Sequence, residues 1–202
     1  MKRNTNIVLA ACAIVASLGV LAADPFEEAV SAYHHGDYAK AAELWAPLAE
    51  DGNASAQYSL GSLYAEGKGV QQSDATAFKW FKRAADQGNA AAQYNVGASY
   101  AAGAGVERND GDAALWFKRA ADQDMVFAQF NLGLLYASGH GVPQDNVQAL
   151  TWLQIALQGL PAGASAMDVA HAIQDVAAKM NRDDIDLAKS RARDWAAGRR
   201  PK

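Results

Sequence analysis

The chain has 202 residues, a formal net charge of −4, 50% hydrophobic and 20% charged residues, and only five prolines. Alanine alone supplies 46 positions; so much of the best helix former, with β-branched residues sparse, excludes disorder and collagen-like sequence and points to an all-α chain. Four histidines and one cysteine leave few side chains for metal or thiolate chemistry.

In chain order, Lys2 and Arg3 are followed by an apolar run from Ile7 to Leu21 and then by Ala22, Ala23 and Asp24. Charge, hydrophobes and small residues in that order predict a secretory signal peptide over residues 1–23, cleaved after Ala22 or Ala23. The run of 15 residues falls short of the roughly 20 that cross a bilayer, so no stable membrane span is expected after cleavage. Leu9-Ala10-Ala11-Cys12 spells a lipobox, but only Ile7, Val8 and Leu9 precede it as strong hydrophobes and the apolar run continues past it. Cys12 is therefore read as part of the signal, and the mature chain as cysteine-free and periplasmic or secreted.

Residues 24–52 read as one short-looped helical hairpin, in which Gly36 and Asp37 separate a helix ending near Tyr33 from another over Tyr38 to Glu50. A period of 36 residues then governs the chain: Gln57, Gln93 and Gln129 share it, as do Gly61, Gly97 and Gly133, and Tyr64, Tyr100 and Tyr136. Ala41, Ala77, Ala113 and Ala149 carry the same spacing. One Gly-x-Gly-Val per period, in helical composition, means stacked helical hairpins. The first helix of each period reads Leu60-Gly61-x-x-Tyr64 or its equivalent, the second Ala77-x-x-x-Phe81, Ala113-x-x-x-Phe117 or Ala149-x-x-x-Leu153. Glycine marks a close approach, and alanine with a large residue one turn on gives an apolar stripe. In the loops, the first glycine is expected to end a helix at positive φ, Val70, Val106 and Val142 to pin the loop, and Asp74, Asp110 and Asn146 to cap the next helix. Residues 53–159 thus form three repeats, and residues 160–202 form capping helices, over about 165–180 and 183–197, with a basic tail that includes Arg199, Arg200 and Lys202.

The two helix signatures resemble those of tetratricopeptide hairpins, although that period is about 34 residues. Gly-x-Gly-Val followed by a Trp-aromatic pair and Ala-Ala-x-x-Gly resembles the Sel1-like repeat family more closely. The first repeat meets it with Trp80-Phe81 and Ala84-Ala85-Asp86-Gln87-Gly88. The second keeps Trp116-Phe117 and Ala120-Ala121 but has Asp124 for the glycine, and the third keeps Trp152 with Leu153, Ala156-Leu157 and an early Gly159. The resemblance runs from Ala54 to Gly159. It implies a right-handed α-solenoid of about five hairpins and a non-catalytic protein that binds another protein or a peptide in the bacterial envelope, as adaptor or regulator. An envelope enzyme or enzyme subunit acting on cell-wall material is the alternative that stays open.

By analogy with tetratricopeptide solenoids, the first helices line a concave groove, to which Ser55, Tyr58, Ser62 and Glu66, then Tyr94, and then Phe127, Phe130 and Leu134 contribute. Such a groove is apolar and suits an apolar or helical peptide. Positions that differ between copies, Ser55, Glu66, Phe127 and Leu134, are the stronger candidates, because the recurring tyrosines serve packing equally well. No catalytic residue, metal or cofactor is assigned. The glycine loops lack the G-x-x-x-x-G-K-[ST] pattern, the loop around Asp110 offers one calcium ligand where several are needed, and His34, His35, His140 and His171 lack helical i, i+4 spacing. Four tryptophans fall at or beside one repeat position and are read as core. Residues 24–178 hold 18 acidic and 8 basic side chains, a net charge of −10, so no nucleic acid is expected as partner.

Overall fold

The computed structural model describes residues 24–161 and 163–198, of which 164 and 165 are described in their backbone alone. The expected signal peptide, Cys12 and the tail residues Arg199, Arg200 and Lys202 lie outside the described residues. The described residues fold into ten helices: α1 (Pro25–His34), α2 (Tyr38–Glu50), α3 (Ala54–Glu66), α4 (Asp74–Asp86), α5 (Ala90–Ala102), α6 (Asp110–Ala121), α7 (Val126–Ser138), α8 (Asn146–Gly159), α9 (Ala164–Ala177) and α10 (Arg182–Gly198). Helices α1 to α8 pair as four successive hairpins, each second helix also packing on the first helix of the next pair. This is an α-solenoid. The last pair differs from the others, since α9 and α10 both pack on α8 and close the end of the stack together.

Small residues set the packing distance. Ala56, Ala92 and Ala128 are fully buried, and so are Ala41, Ala113 and Ala149 of the alternate helices. Gly61, Gly97 and Gly133 face Phe81, Phe117 and Leu153 so closely that a Cβ at any of them would stand 2.8 Å from the opposing side chain. The recurring glutamines join neighbouring hairpins from inside. Gln57 Nε2 donates to the Ala49 carbonyl at 2.9 Å, while Gln93 and Gln129 donate likewise to Ala85 and Ala121, each at 3.2 Å. Gln87 and Gln123 in turn donate to the Oε1 atoms of Gln57 and Gln93, at 2.7 and 2.8 Å. Each buried amide thus completes the hydrogen bonding of the preceding helix terminus.

The first loop glycine ends its helix as expected, with Gly67 at φ 66°. The second has a role of its own: Gly69, Gly105 and Gly141 also have positive φ, and a Cβ there would overlap the backbone of Tyr38, Asp74 and Asp110. Each loop therefore lies against the first residue of the preceding second helix. The expected caps are corrected by one residue. Ser73 accepts from Thr76 N–H at 3.2 Å, Asn109 from Gly111 and Asp112 N–H at 3.0 and 3.1 Å, and Asp145 from Gln148 N–H at 2.9 Å. Those three residues have the extended backbone a cap needs, with φ from −159° to −150°, whereas Asp74, Asp110 and Asn146 are already in the first helical turn.

The tryptophans pack between hairpins as read. Trp45, Trp116 and Trp152 are buried, and Trp195 meets Trp152 edge-on with centroids 5.0 Å apart. Cations of the second helices cover this ladder: Arg83 lies over Trp80 at 4.8 Å, Lys82 and Arg119 over Trp116 at 5.1 and 4.3 Å, and Lys118 over Trp152 at 5.4 Å. The recurrent Lys-Arg after each Trp-aromatic pair is thereby committed to contacts between repeats.

Candidate functional site

The first helices share one face. Phe127 of α7 reaches Tyr94 of α5, with ring centroids 6.4 Å apart. Ala65 of α3 lines a cleft of about 260 Å³ together with Ala98 and Ala102 of α5. Tyr58, Ser62 and Glu66 of α3 line another of about 320 Å³ with Val30, Tyr33 and His34 of α1, Trp45 of α2 and Ser59. At the far end Phe127 and Phe130 line a smaller one of about 130 Å³ with Val126, Leu160, Asp168 and Val169. Three clefts thus lie along the first helices, the middle one lined by alanines and the outer two by larger side chains.

The expected residues divide by what holds them. Tyr58 and Tyr94 are half-buried and stack on Phe81 and Phe117, each at 5.8 Å between centroids, and Phe130 packs into the cluster formed by Ala149, Leu150, Leu153 and Val176. Packing claims much of these three rings. Phe127 and Leu134, by contrast, remain 49% and 37% exposed, although Phe127 shares its cleft with Asp168 and Val169 of α9. Ser55 is exposed, and neither it nor Leu134 lines one of these clefts. Ser62 is half-buried and donates to the Tyr58 carbonyl at 3.1 Å.

Glu66 is exposed and pairs with Lys68 at 2.6 Å. The Lys68 ammonium also lies 5.2 Å from the Tyr38 ring centroid and 5.9 Å from that of Tyr33. The hydrogen bond to Glu66 holds the Lys68 pKa above its ordinary value. Arg108 similarly holds the Asp110 carboxyl below its usual range. Both shifts come from exposed ion pairs, the ordinary behaviour of surface charges and not that of a buried acid or base poised for proton transfer. Among the described residues no group of three or more His, Cys, Asp or Glu side chains is placed to hold a metal ion, and no helix is long and apolar enough to cross a membrane.

Sequence reasoning missed the part of the large cleft contributed by Val30, Tyr33, His34 and Trp45. Val30, Tyr33 and His34 precede the 36-residue register, and Trp45, one residue off the position of the other tryptophans, was read only as core. One signal was available in Lys68, which stands where the other loops have Ala104 and His140, just as Glu66 stands where they have Ala102 and Ser138.

An all-helical stack whose hairpins repeat every 36 residues, with one loop conformation at each repeat, defines a helical-repeat protein. Within that class the chain belongs to the Sel1 repeat family, whose model matches residues 54–89, 90–125 and 126–159. Repeats of this family are in general protein-interaction modules. Solved structures similar to the chain include the following two. One is a protective antigen of uropathogenic Escherichia coli strains that displays an SLR fold, with TM-score 0.74 and 27% identity over 86% of this chain and 37% of that one. The other is a Sel1 repeat protein from Oxalobacter formigenes, with TM-score 0.68 and 28% identity over 79% of this chain and 63% of that one. The chain thus spans less than two thirds of either relative. No curated protein matches it.

Proposed function

We propose that this is an exported, non-catalytic Sel1 repeat protein that binds another protein in the bacterial envelope, periplasmic or secreted, as an adaptor or regulator. The observation that carries the reading is the exposure of Phe127 and Leu134 on one first helix, at 49% and 37%. Exposed aromatic and aliphatic side chains on a rigid helical scaffold are the usual anchors of protein recognition. The N-terminal order of charge, apolar run and small residues supports export, and the absence of cysteine beyond Cys12 suits an oxidising compartment.

A photo-crosslinking amino acid at position 127, used in cells, tests this. A discrete protein adduct in the periplasmic or secreted fraction is expected, and it is expected to disappear in the Leu134→Ala variant. Residence of the full-length chain in the cytoplasm would refute the export, and crosslinks unaffected by Leu134→Ala would refute the face.

A further inference from the structure

The ladder of cations over the tryptophans lacks its first rung. Lys82 pairs with Asp86 one turn on and lies over Trp116, and Lys118 pairs with Asp122 and lies over Trp152. The equivalent residues 36 positions before Lys82, Asp86 and Trp116 are Ala46, Glu50 and Trp80. The structure keeps this register, because Gln57 and Gln93 donate to the carbonyls of the equivalent residues Ala49 and Ala85. Ala46 offers no charge, and two consequences are visible. Glu50, without a lysine one turn before it, pairs with Arg83 of α4 at 2.9 Å. Trp80 is half-buried, whereas Trp116 and Trp152 are each 5% exposed. Among the described residues Arg83 alone lies over Trp80, while Trp116 holds two cations, Lys82 and Arg119. Glu50 and Trp80 both line a cleft of about 490 Å³ on α2 and α4, larger than the three along the first helices.

We infer that this cleft takes a lysine side chain of a partner protein, which completes the ladder over Trp80. The chain supplies its own template: an ammonium 5.1 Å from the Trp116 centroid, and another 5.4 Å from that of Trp152, occupy the equivalent place in the next two repeats. A cation over an indole is attracted by the quadrupole of the ring, more strongly where water is partly excluded, as at the half-buried Trp80. Glu50 supplies the carboxylate that Asp86 and Asp122 supply to Lys82 and Lys118. The long-range field has the matching sign, since the net charge of −10 over residues 24–178 draws in a basic segment and repels an acidic one. Lys79 at the rim works against the incoming ammonium, whereas the charge of Lys82 is balanced by Asp86. This is a second contact surface, built from α2 and α4, and not the one that carries Phe127 and Leu134 on α7.

The test follows the indole N–H signals of the ¹⁵N-labelled protein, with that of Trp80 identified by its loss in Trp80→Phe. An end-capped Gly-Gly-Lys-Gly-Gly peptide is titrated against the same peptide with glutamate for lysine. The Trp80 signal is expected to move and saturate with the lysine peptide alone. Ala46→Lys supplies the missing rung from within, at a position where the next two repeats already carry Lys82 and Lys118. It is expected to weaken binding of the lysine peptide about tenfold or more. Lys79→Ala removes the opposing charge and is expected to tighten that binding about twofold. An immobile Trp80 signal, an equal response to the glutamate peptide, undiminished binding by Ala46→Lys, or weaker binding by Lys79→Ala would overturn the assignment. The titration involves neither Phe127 nor Leu134, so partner crosslinks from position 127 that persist in any of those cases isolate the failure to this cleft.

Discussion

Replacing Gly97 by alanine puts two known effects in opposition. In an exposed helix the change stabilises by about 1 kcal/mol, because alanine is the better helix former. At this position the new Cβ would lie 2.8 Å from Cδ1 and 2.9 Å from Cε1 of Phe117, about 1 Å inside a comfortable carbon–carbon separation. The ring has little room to yield: Phe117 is 3% exposed, and Tyr94 packs against it at 5.8 Å between centroids. Overpacking of this kind costs about 1–3 kcal/mol, and opening the α5–α6 contact also weakens the interfaces to both neighbouring hairpins. A net loss of about 1–2 kcal/mol is expected, or roughly 2–4 °C in Tm per kcal/mol for a chain of this size. Chemical denaturation followed by circular dichroism measures it, with Gly198→Ala as reference, since a Cβ at Gly198 meets nothing within 4 Å. On a Phe117→Ala background the clash is gone, and Gly97→Ala is expected to become stabilising. A Gly97→Ala midpoint raised as much as that of Gly198→Ala would refute the account of why glycine recurs every 36 residues.

Gln93→Leu removes the bond to the Ala85 carbonyl and the acceptor of Gln123 from a buried site, and is expected to cost about 1–3 kcal/mol in the same denaturation assay, against a much smaller loss for Gln123→Ala at the exposed end of the pair. Asp145→Ala is expected to lose about 1 kcal/mol and its neighbour Asn146→Ala far less; the opposite order would return the cap to the second position. Gly105→Ala combines positive φ with overlap onto the backbone of Asp74, where no side chain can swing aside, so its denaturation midpoint is expected to fall further than that of Gly97→Ala. Phe127→Ala, at a half-exposed site, is expected to change stability by under about 1 kcal/mol while abolishing partner crosslinks from the same face.

The register of the fold was readable because it recurs. Three copies of Leu/Val-Gly-x-x-Tyr and of Gly-x-Gly-Val leave only one consistent way to place helices and turns, and helices α3 to α8 follow it. What local chemistry left ambiguous was misplaced. Ser73-Asp74, Asn109-Asp110 and Asp145-Asn146 each offer two adjacent capping side chains, and only the backbone angles decide between them. The candidate site was half legible: Tyr58, Ser62 and Glu66 lie in the large cleft as the groove reading requires, but most of its opposite wall comes from α1, which precedes the 36-residue register. The contact of Tyr33 and Trp45, 5.8 Å between centroids, joins residues 12 positions apart across a turn whose geometry no repeat displays.

Repetition and function pull in opposite directions on this face, and the structure separates them. Tyr58 and Tyr94 recur at the same position and are held by Phe81 and Phe117; the glycines, glutamines and tryptophans that recur are likewise held by neighbouring repeats. The positions that differ between copies are exposed or half-buried: Ser55, Ala91 and Phe127; Ser62, Ala98 and Leu134; Glu66, Ala102 and Ser138. Read across the stack, they give hydroxyls and one carboxylate beside the aromatic cleft, small residues in the middle repeat, and large apolar groups in the third. With each repeat adding about 10 Å of packed helices, the two ends stand about 20 Å apart, a distance that about six extended residues span. The side-chain chemistry of this face is therefore concentrated at its two ends, where the copies have ceased to be copies, with the alanines of the middle repeat between them.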